Sequence, residues 1–259
     1  VSEAASELPA PQRREALKEL LVQARGCTLC SELAVTRKTV VFGAGNADAQ
    51  LMFVGEAPGA SEDQQGLPFV GRAGKLLEQL LGEIGLERGD VFIANVLKCR
   101  PPGNRDPLPI EIENCQGYLM RQVELIQPSV ICTLGNFSTK LLRGDPTGIT
   151  RVHGQAEVIS LGARRVRIYP IYHPAAALYT PRMLDTLRED FGGIPALLEL
   201  GAPEQPEASV AGEREPEIDP PTASGDESGS AASTPDPTVP AARGAADPAR
   251  EMLDQLGLF

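Results

Sequence analysis

Four cysteines, one histidine and a glycine-rich stretch hold the most distinctive chemistry in this 259-residue chain. Cys27 and Cys30 form a C-x2-C pair, a spacing that points to metal or cluster ligation. Their partners would be Cys99 and Cys115, with fifteen residues between them. Structural zinc generally uses two short-spaced pairs or histidines, whereas iron–sulfur clusters take four cysteine thiolates. The wide second pair therefore fits a cluster better than zinc, and four unrelated buried thiols are the plainer alternative. Cys132 lies inside an apolar run and reads as an ordinary buried thiol.

The second set begins with "GEAPGASEDQQGLPFVGRAG", residues 55–74, which follows a short apolar run. Gly74-Lys75 is followed by Leu76, so the Walker phosphate loop fails, and the dinucleotide G-x-G-x-x-G pattern is missing. What remains is a tight turn at Pro58-Gly59 that leaves Glu56 beside bare backbone. Gly66, Pro68, Phe69 and Gly71 then offer one aromatic ring to a flat ligand, unless Phe69 is simply core. His173 precedes Pro174, which biases it toward extended backbone just past a strand. Asn95 ends another apolar run. His153, in "DPTGITRVHG", reads as a surface residue.

Positioning these residues takes strands and helices in alternation. Apolar runs stand at 51–54, 91–95, 129–135 and 166–173, and the gaps between them hold helical patterns. A further helix, "PQRREALKELLVQARG", opens the sequence, and "PRMLDTLREDFGGIPALLEL" reads as a closing one. The pattern predicts an α/β fold, a three-layer α/β/α sandwich around a four-stranded parallel sheet. Ligands of such sheets bind beyond the carboxyl ends of the strands. "GEAPG", Asn95, "LGN" (134–136) and "HPAAALY" (173–179) all fall there, so four distant segments meet on one rim.

Charge and composition divide the chain. Residues 201–259 carry three basic and twelve acidic side chains, against 21 and 23 in residues 1–200. The acidity belongs to the tail, and the folded part is free to present a basic face. Lys38, Arg72, Lys75, Lys98, Arg100, Arg105, Arg164, Arg165 and Arg167 read mostly as solvated charge, with a subset near the rim suited to phosphates. Residues 201–250, rich in Pro, Ala, Ser and acids, read as a disordered linker. No apolar run approaches a membrane span, no signal peptide opens the chain and the cysteine count is odd, which together predict a soluble cytoplasmic protein.

Assembled, these residues make residues 13–200 resemble a family 4 uracil-DNA glycosylase, the iron–sulfur class. The resemblance rests on "GEAPG", "GLPFVGRAG", "NVLKCRPPGNRDP", "HPAAALY" and the cysteine spacing. It implies a [4Fe-4S] cluster on Cys27, Cys30, Cys99 and Cys115 in a structural role, and uracil removal from DNA. Uracil would lie against Gly55, Glu56 and Ala57 and stack on Phe69. Asn95 would pair with its O4 and N3, and His173 would stabilise charge developing on O2. Glu56 would position or activate water and favour a cationic sugar. Leu178 is the candidate wedge into the vacated base stack. The best-known uracil glycosylases carry an aspartate where this sequence has Ala57, which leaves water activation open. The segment "KCRPPGNRDPLPIE" lacks the histidine of a related class that traps the sugar covalently, so free hydrolytic turnover by a monofunctional enzyme of base excision repair is expected; a monomer is expected as well.

The chain ends in "QLGLF". Gln255, Leu256, Leu258 and Phe259 resemble the bacterial sliding-clamp-binding pentapeptide, with a tail that docks on its own domain as the alternative. Two other readings of the whole chain stand beside the glycosylase: a non-hydrolytic iron–sulfur sensor or electron carrier on DNA, and a zinc-bound nucleotide hydrolase.

Overall fold

A computed structural model describes residues 8–206. Most of the acidic tail and the terminal pentapeptide, with Gln255, Leu256, Leu258 and Phe259, lie outside the described residues. The chain opens with α1 (Ala10–Arg25), whose Leu17, Leu20, Leu21 and Ala24 are buried as the helical spacing requires. After α2 (Ser31–Thr36) come β1 (Ala44–Gly45), β2 (Leu51–Gly55), α3 (Ala60–Gln65), α4 (Arg72–Glu83) and β3 (Phe92–Asn95). Next are α5 (Pro109–Ile126), β4 (Val130–Leu134), α6 (Asn136–Arg143), α7 (Ile149–Val152), β5 (Glu157–Leu161) and β6 (Arg164–Ile171). Helices α8 (Ala175–Tyr179), α9 (Met183–Gly192) and α10 (Ile194–Glu199) complete it.

The expected four-stranded parallel sheet is corrected to a six-stranded mixed one, ordered β1-β3-β2-β4-β6-β5. The four central strands are parallel, and the edge strands β1 and β5 run antiparallel to β3 and β6. Both edges escaped a search for continuous apolar runs. β1 has two residues, and β5 alternates half-buried and exposed positions because one of its faces meets water. It turns into β6 at Gly162, whose φ of 60° suits glycine.

Side chains alternate between the two faces of the sheet. Met52, Val54, Phe92, Ala94 and Ile131 join one apolar cluster with α1 and α5; Leu51, Phe53, Ile93, Val130 and Leu134 join another with α4, α9 and α10. Each of the larger side chains among these, from Val to Phe, contributes about 1.5–3 kcal/mol relative to exposure. The closing helix expected as one piece is two. Gly193 sits where a Cβ would lie 2.6 Å from the Tyr169 hydroxyl, and Pro195 begins a new helix without an N–H to offer the old one. Among the described residues, no helix is long and apolar enough to cross a membrane.

Candidate active site

Strand register brings the first two candidate residues together. Gly55 at the end of β2 pairs with Asn95 at the end of β3, and the ladder continues past both strands through Val96 N–H to Gly55 O and Leu97 N–H to Glu56 O, each 3.0 Å. Gly55 is glycine for a steric reason: a Cβ would lie 2.4 Å from Asn95 Oδ1 and 2.9 Å from the Phe69 ring. On the other side Leu134 pairs with Ile171, and a Cβ at Gly135 would lie 3.2 Å from His173 Cβ. His173 therefore enters over the end of β4. "LGN" contributes that glycine, while Asn136 turns away and accepts from Ile149 N–H at 2.8 Å, capping α7.

These ends surround a cavity of about 340 Å3, lined by Glu56, Ala57, Phe69, Asn95 and His173 among others. The volume suits a single flat base. Phe69 is both things the sequence allowed, a member of the apolar core and a ring on the cavity wall. It stacks on the His173 imidazole with centroids 5.4 Å apart. Its backbone sits at φ 52°, uncommon for a bulky residue, and is held from both sides. Arg88 donates to the carbonyls of Pro68 and Phe69, and Glu62 Oε1 accepts from Val70 N–H (3.0 Å) and Gly71 N–H (2.9 Å). Gly74 leaves the room, since a Cβ there would collide with Phe69 O at 1.8 Å.

The polar groups are poised by their surroundings. Ala175 N–H donates to His173 Nδ1 at 3.1 Å, so a neutral ring carries its proton on Nε2. Burial pulls the imidazole down to about 4, opposed by the negative charge of Glu62, so at neutral pH the ring is an uncharged donor. Burial, and then the charge of Asp106, raises the Glu56 carboxyl above its ordinary value. Asn95 is buried on the cavity wall, and Lys98 donates to its main-chain carbonyl at 2.8 Å.

Sequence reasoning missed several lining residues. Glu62 sits inside the quoted loop, but an acid in a glycine-rich stretch gives little signal. Pro101 and Asn104 come from the "PPGNR" loop; Arg105 beside them, read from sequence only as one of several basic residues, also lines the cavity and is bonded to both carboxylate oxygens of Glu111 and to Glu32. Leu178 lies half-buried on α8, outside the lining. Two expectations are replaced. Lys98 is fully buried, bonded to Gln122 Oε1 at 2.6 Å, with burial lowering it to about 8, so it is no surface charge. His153 is partly exposed but not a free surface side chain: Nδ1 lies 3.1 Å from both Asp190 oxygens and its ring packs on Tyr172 at 4.6 Å.

The [4Fe-4S] expectation, and with it metal binding, is corrected. Among the described residues no group of three or more His, Cys, Asp or Glu side chains is placed to hold a metal ion. Cys27, Cys30, Cys99 and Cys115 do line one cavity, but it measures about 20 Å3, room for little more than one water. All four are free thiols, and burial holds Cys99 above its ordinary value and Cys115 up at about 11. Protein donors already engage three sulfurs: Arg37 Nη1 on Cys99 (3.1 Å), Lys98 N–H on Cys115 (3.2 Å) and Asn114 Nδ2 on Cys30 (3.6 Å). Cys132 is fully buried as expected, its thiol pushed well up.

Comparison with known proteins meets this geometry. Residues 42–192 match the family model of the uracil DNA glycosylase superfamily. A type-4 uracil-DNA glycosylase of Archaeoglobus fulgidus is 46% identical over 181 residues, 68% of this chain and 90% of that protein. One from Sulfurisphaera tokodaii is 48% identical over 182 residues, 68% of this chain and 81% of that protein. A type-5 enzyme of Pyrobaculum aerophilum is more distant, at 31% over 146 residues, 51% of this chain and 63% of that protein. The matched span runs from the residues before β1 through α9 and contains every strand and every lining residue of the cavity, and on these grounds the chain belongs to the type-4 uracil-DNA glycosylase family.

Proposed function

We propose that this enzyme hydrolyses the N-glycosidic bond of a deoxyuridine flipped out of DNA, giving free uracil and an abasic site. The observation that carries the reading is the convergence of Glu56, Phe69, Asn95 and His173 on one cavity at the carboxyl ends of parallel strands. A duplex hides the bond, so the nucleotide must leave the stack before the cavity can take it. Phe69 supplies the face on which the base lies. The Asn95 amide offers one donor and one acceptor, which match O4 and N3–H of uracil; cytosine presents a donor and an acceptor the other way round.

Cleavage puts negative charge on uracil O2 and positive charge on the sugar. The neutral His173, with its proton on Nε2, is a fixed donor for that oxygen and need not reorganise as charge develops. Such donors are typically worth about 3–4 kcal/mol in the transition state. Glu56, as a carboxylate, favours the cationic sugar and orients or activates the water that attacks it. Leu178 is the proposed wedge into the gap. The segment "KCRPPGNRDPLPIE" carries no histidine to trap the sugar, which supports free hydrolytic turnover by a monofunctional enzyme, one that acts on DNA in the cytoplasm as a monomer.

The tail extends the proposal. Gln255, Leu256, Leu258 and Phe259 are apolar and polar anchors suited to the groove of a bacterial sliding clamp. Held to the same chain as the catalytic domain, such anchors would raise the local enzyme concentration at replicated DNA. A peptide of residues 248–259 should bind the clamp, and binding unchanged by Leu258→Ala with Phe259→Ala sinks that part alone.

The catalytic reading is tested with purified protein and an end-labelled oligonucleotide carrying one uracil. Strand cleavage only after alkali is the expected result. Cleavage without alkali would replace the monofunctional reading with a lyase, and intact DNA from folded protein would favour a non-hydrolytic DNA-binding protein.

A further inference from the structure

Of the described aromatic side chains, only Tyr179 is exposed, at 83%. It makes no hydrogen bond, ion pair or ring contact among the described residues, so nothing in the fold accounts for an aromatic there. Its place is specific. His173 O accepts from Ala176 N–H at 2.8 Å and Ala176 O accepts from Thr180 N–H at 2.9 Å, so one short helix carries the backbone from the catalytic histidine to Tyr179. Ala175 lines the cavity, and Tyr179 is four residues further on. Residues four apart share a helix face, with Cβ atoms about 5–6 Å apart, and the Cα–Cβ bond leans toward the helix start. Tyr179 therefore lies one helical turn beyond Ala175, a residue of the cavity lining, and on the same face of the helix. Beyond it Thr180, Pro181 and Arg182 are exposed, and Arg182 forms no ion pair among the described residues. An exposed ring three residues from an exposed cation, neither partnered among the described residues, combines the two groups that hold single-stranded nucleic acid, an aromatic face for stacking and a positive charge for phosphate.

We infer that the Tyr179 ring stacks on a base of the uracil-containing strand, next to the nucleotide in the cavity. This rests on the glycosylase reading above and adds to it a contact that is distinct from the wedge. A wedge fills the gap that extrusion leaves in a duplex, so removing it matters where there is a complementary strand. A platform for the neighbouring base of the same strand serves single-stranded and duplex substrates alike. It also tolerates any base, because every base has a π-face.

Steady-state kinetics on single-stranded and duplex oligonucleotides with one uracil, for wild type, Tyr179→Ala and Tyr179→Phe, test the inference. Fluorescence of 2-aminopurine placed beside the uracil gives a second readout. Tyr179→Ala should raise KM roughly 5- to 100-fold on both substrates, with a much smaller change in kcat, and should weaken the quenching of 2-aminopurine on binding. Tyr179→Phe keeps the ring and should retain both KM and quenching. A loss confined to duplex would make Tyr179 a wedge and overturn the inference. Equal damage from Phe and Ala would assign the effect to the hydroxyl, and an unchanged Tyr179→Ala would leave the residue without a role; either overturns it. Wild type that releases no uracil sinks the glycosylase reading instead, so the two failures are told apart. Because the side chain is almost wholly exposed, none of these outcomes is confounded by misfolding.

Discussion

Two groups of residues stand out in this sequence, and the fold treats them in opposite ways. The strand ends gather Glu56, Asn95, Phe69 and His173 around about 340 Å3 of space, with the Asn95 amide and the His173 Nε2 proton free to meet a ligand. The four cysteines gather around about 20 Å3, with Arg37, Lys98 and Asn114 already bonded to their sulfurs. Proximity is common to both. What separates them is unspent hydrogen-bonding capacity beside open volume, and on this contrast the proposed function places its chemistry at the rim.

The contrast can be broken most forcefully at His173. If its imidazole is the donor to the developing anion, His173→Ala should lower the single-turnover rate by about 100- to 1,000-fold while substrate affinity changes little. A rate within a few-fold of wild type would remove the rim from the mechanism. Glu56 comes next. Glu56→Gln should cost about 100-fold, the low end for general-base effects, and should alter the pH profile. Burial and Asp106 hold the Glu56 carboxyl above 4.5, whereas His173 charges only near 4. As pH falls Glu56 protonates first, so the wild-type rate should decline on the acid side through its raised value. In Glu56→Gln that decline should vanish, leaving a flat profile down to about pH 4.

Smaller effects sharpen the comparison. Phe69→Leu should weaken substrate binding about tenfold through lost stacking, visible in KM more than in kcat. Cys99→Ser, in the other group, should leave kcat and KM unchanged and lower stability by about 1–2 kcal/mol, read from denaturant midpoints. A large loss of kcat in folded Cys99→Ser protein would erase the distinction between the two regions.

Much of this was legible before the fold was known, and the parts that were not have identifiable reasons. The central strands announce themselves as apolar runs because both faces are covered, and parallel order then sends their loops to one rim. β5 hides because its exposed face dilutes the apolar signal, and β1 because two residues make no pattern. Glycines at 55, 74 and 135 were visible as letters, but their purpose, making room for Asn95, Phe69 and His173, exists only in three dimensions. The cysteine spacing suggested a ligand set; sequence could not show that the thiols enclose so little space. Buried Lys98 and the His153–Asp190 pair were equally hidden, since burial of a charged side chain depends on partners far along the chain.

The central claim is that the rim cavity selects its base through the Asn95 amide, and base preference tests it most directly. We would measure kcat/KM on two single-stranded oligonucleotides that differ only in one uracil or one cytosine, for wild type and Asn95→Asp. A cavity that reads the base edge by hydrogen bonds should discriminate by about 10,000-fold or more in wild type. Asn95→Asp exchanges a donor for an acceptor, so uracil turnover should fall and cytosine release should rise above the wild-type background. Unchanged preference in the variant would contradict the account, because the base would then be chosen by something other than Asn95.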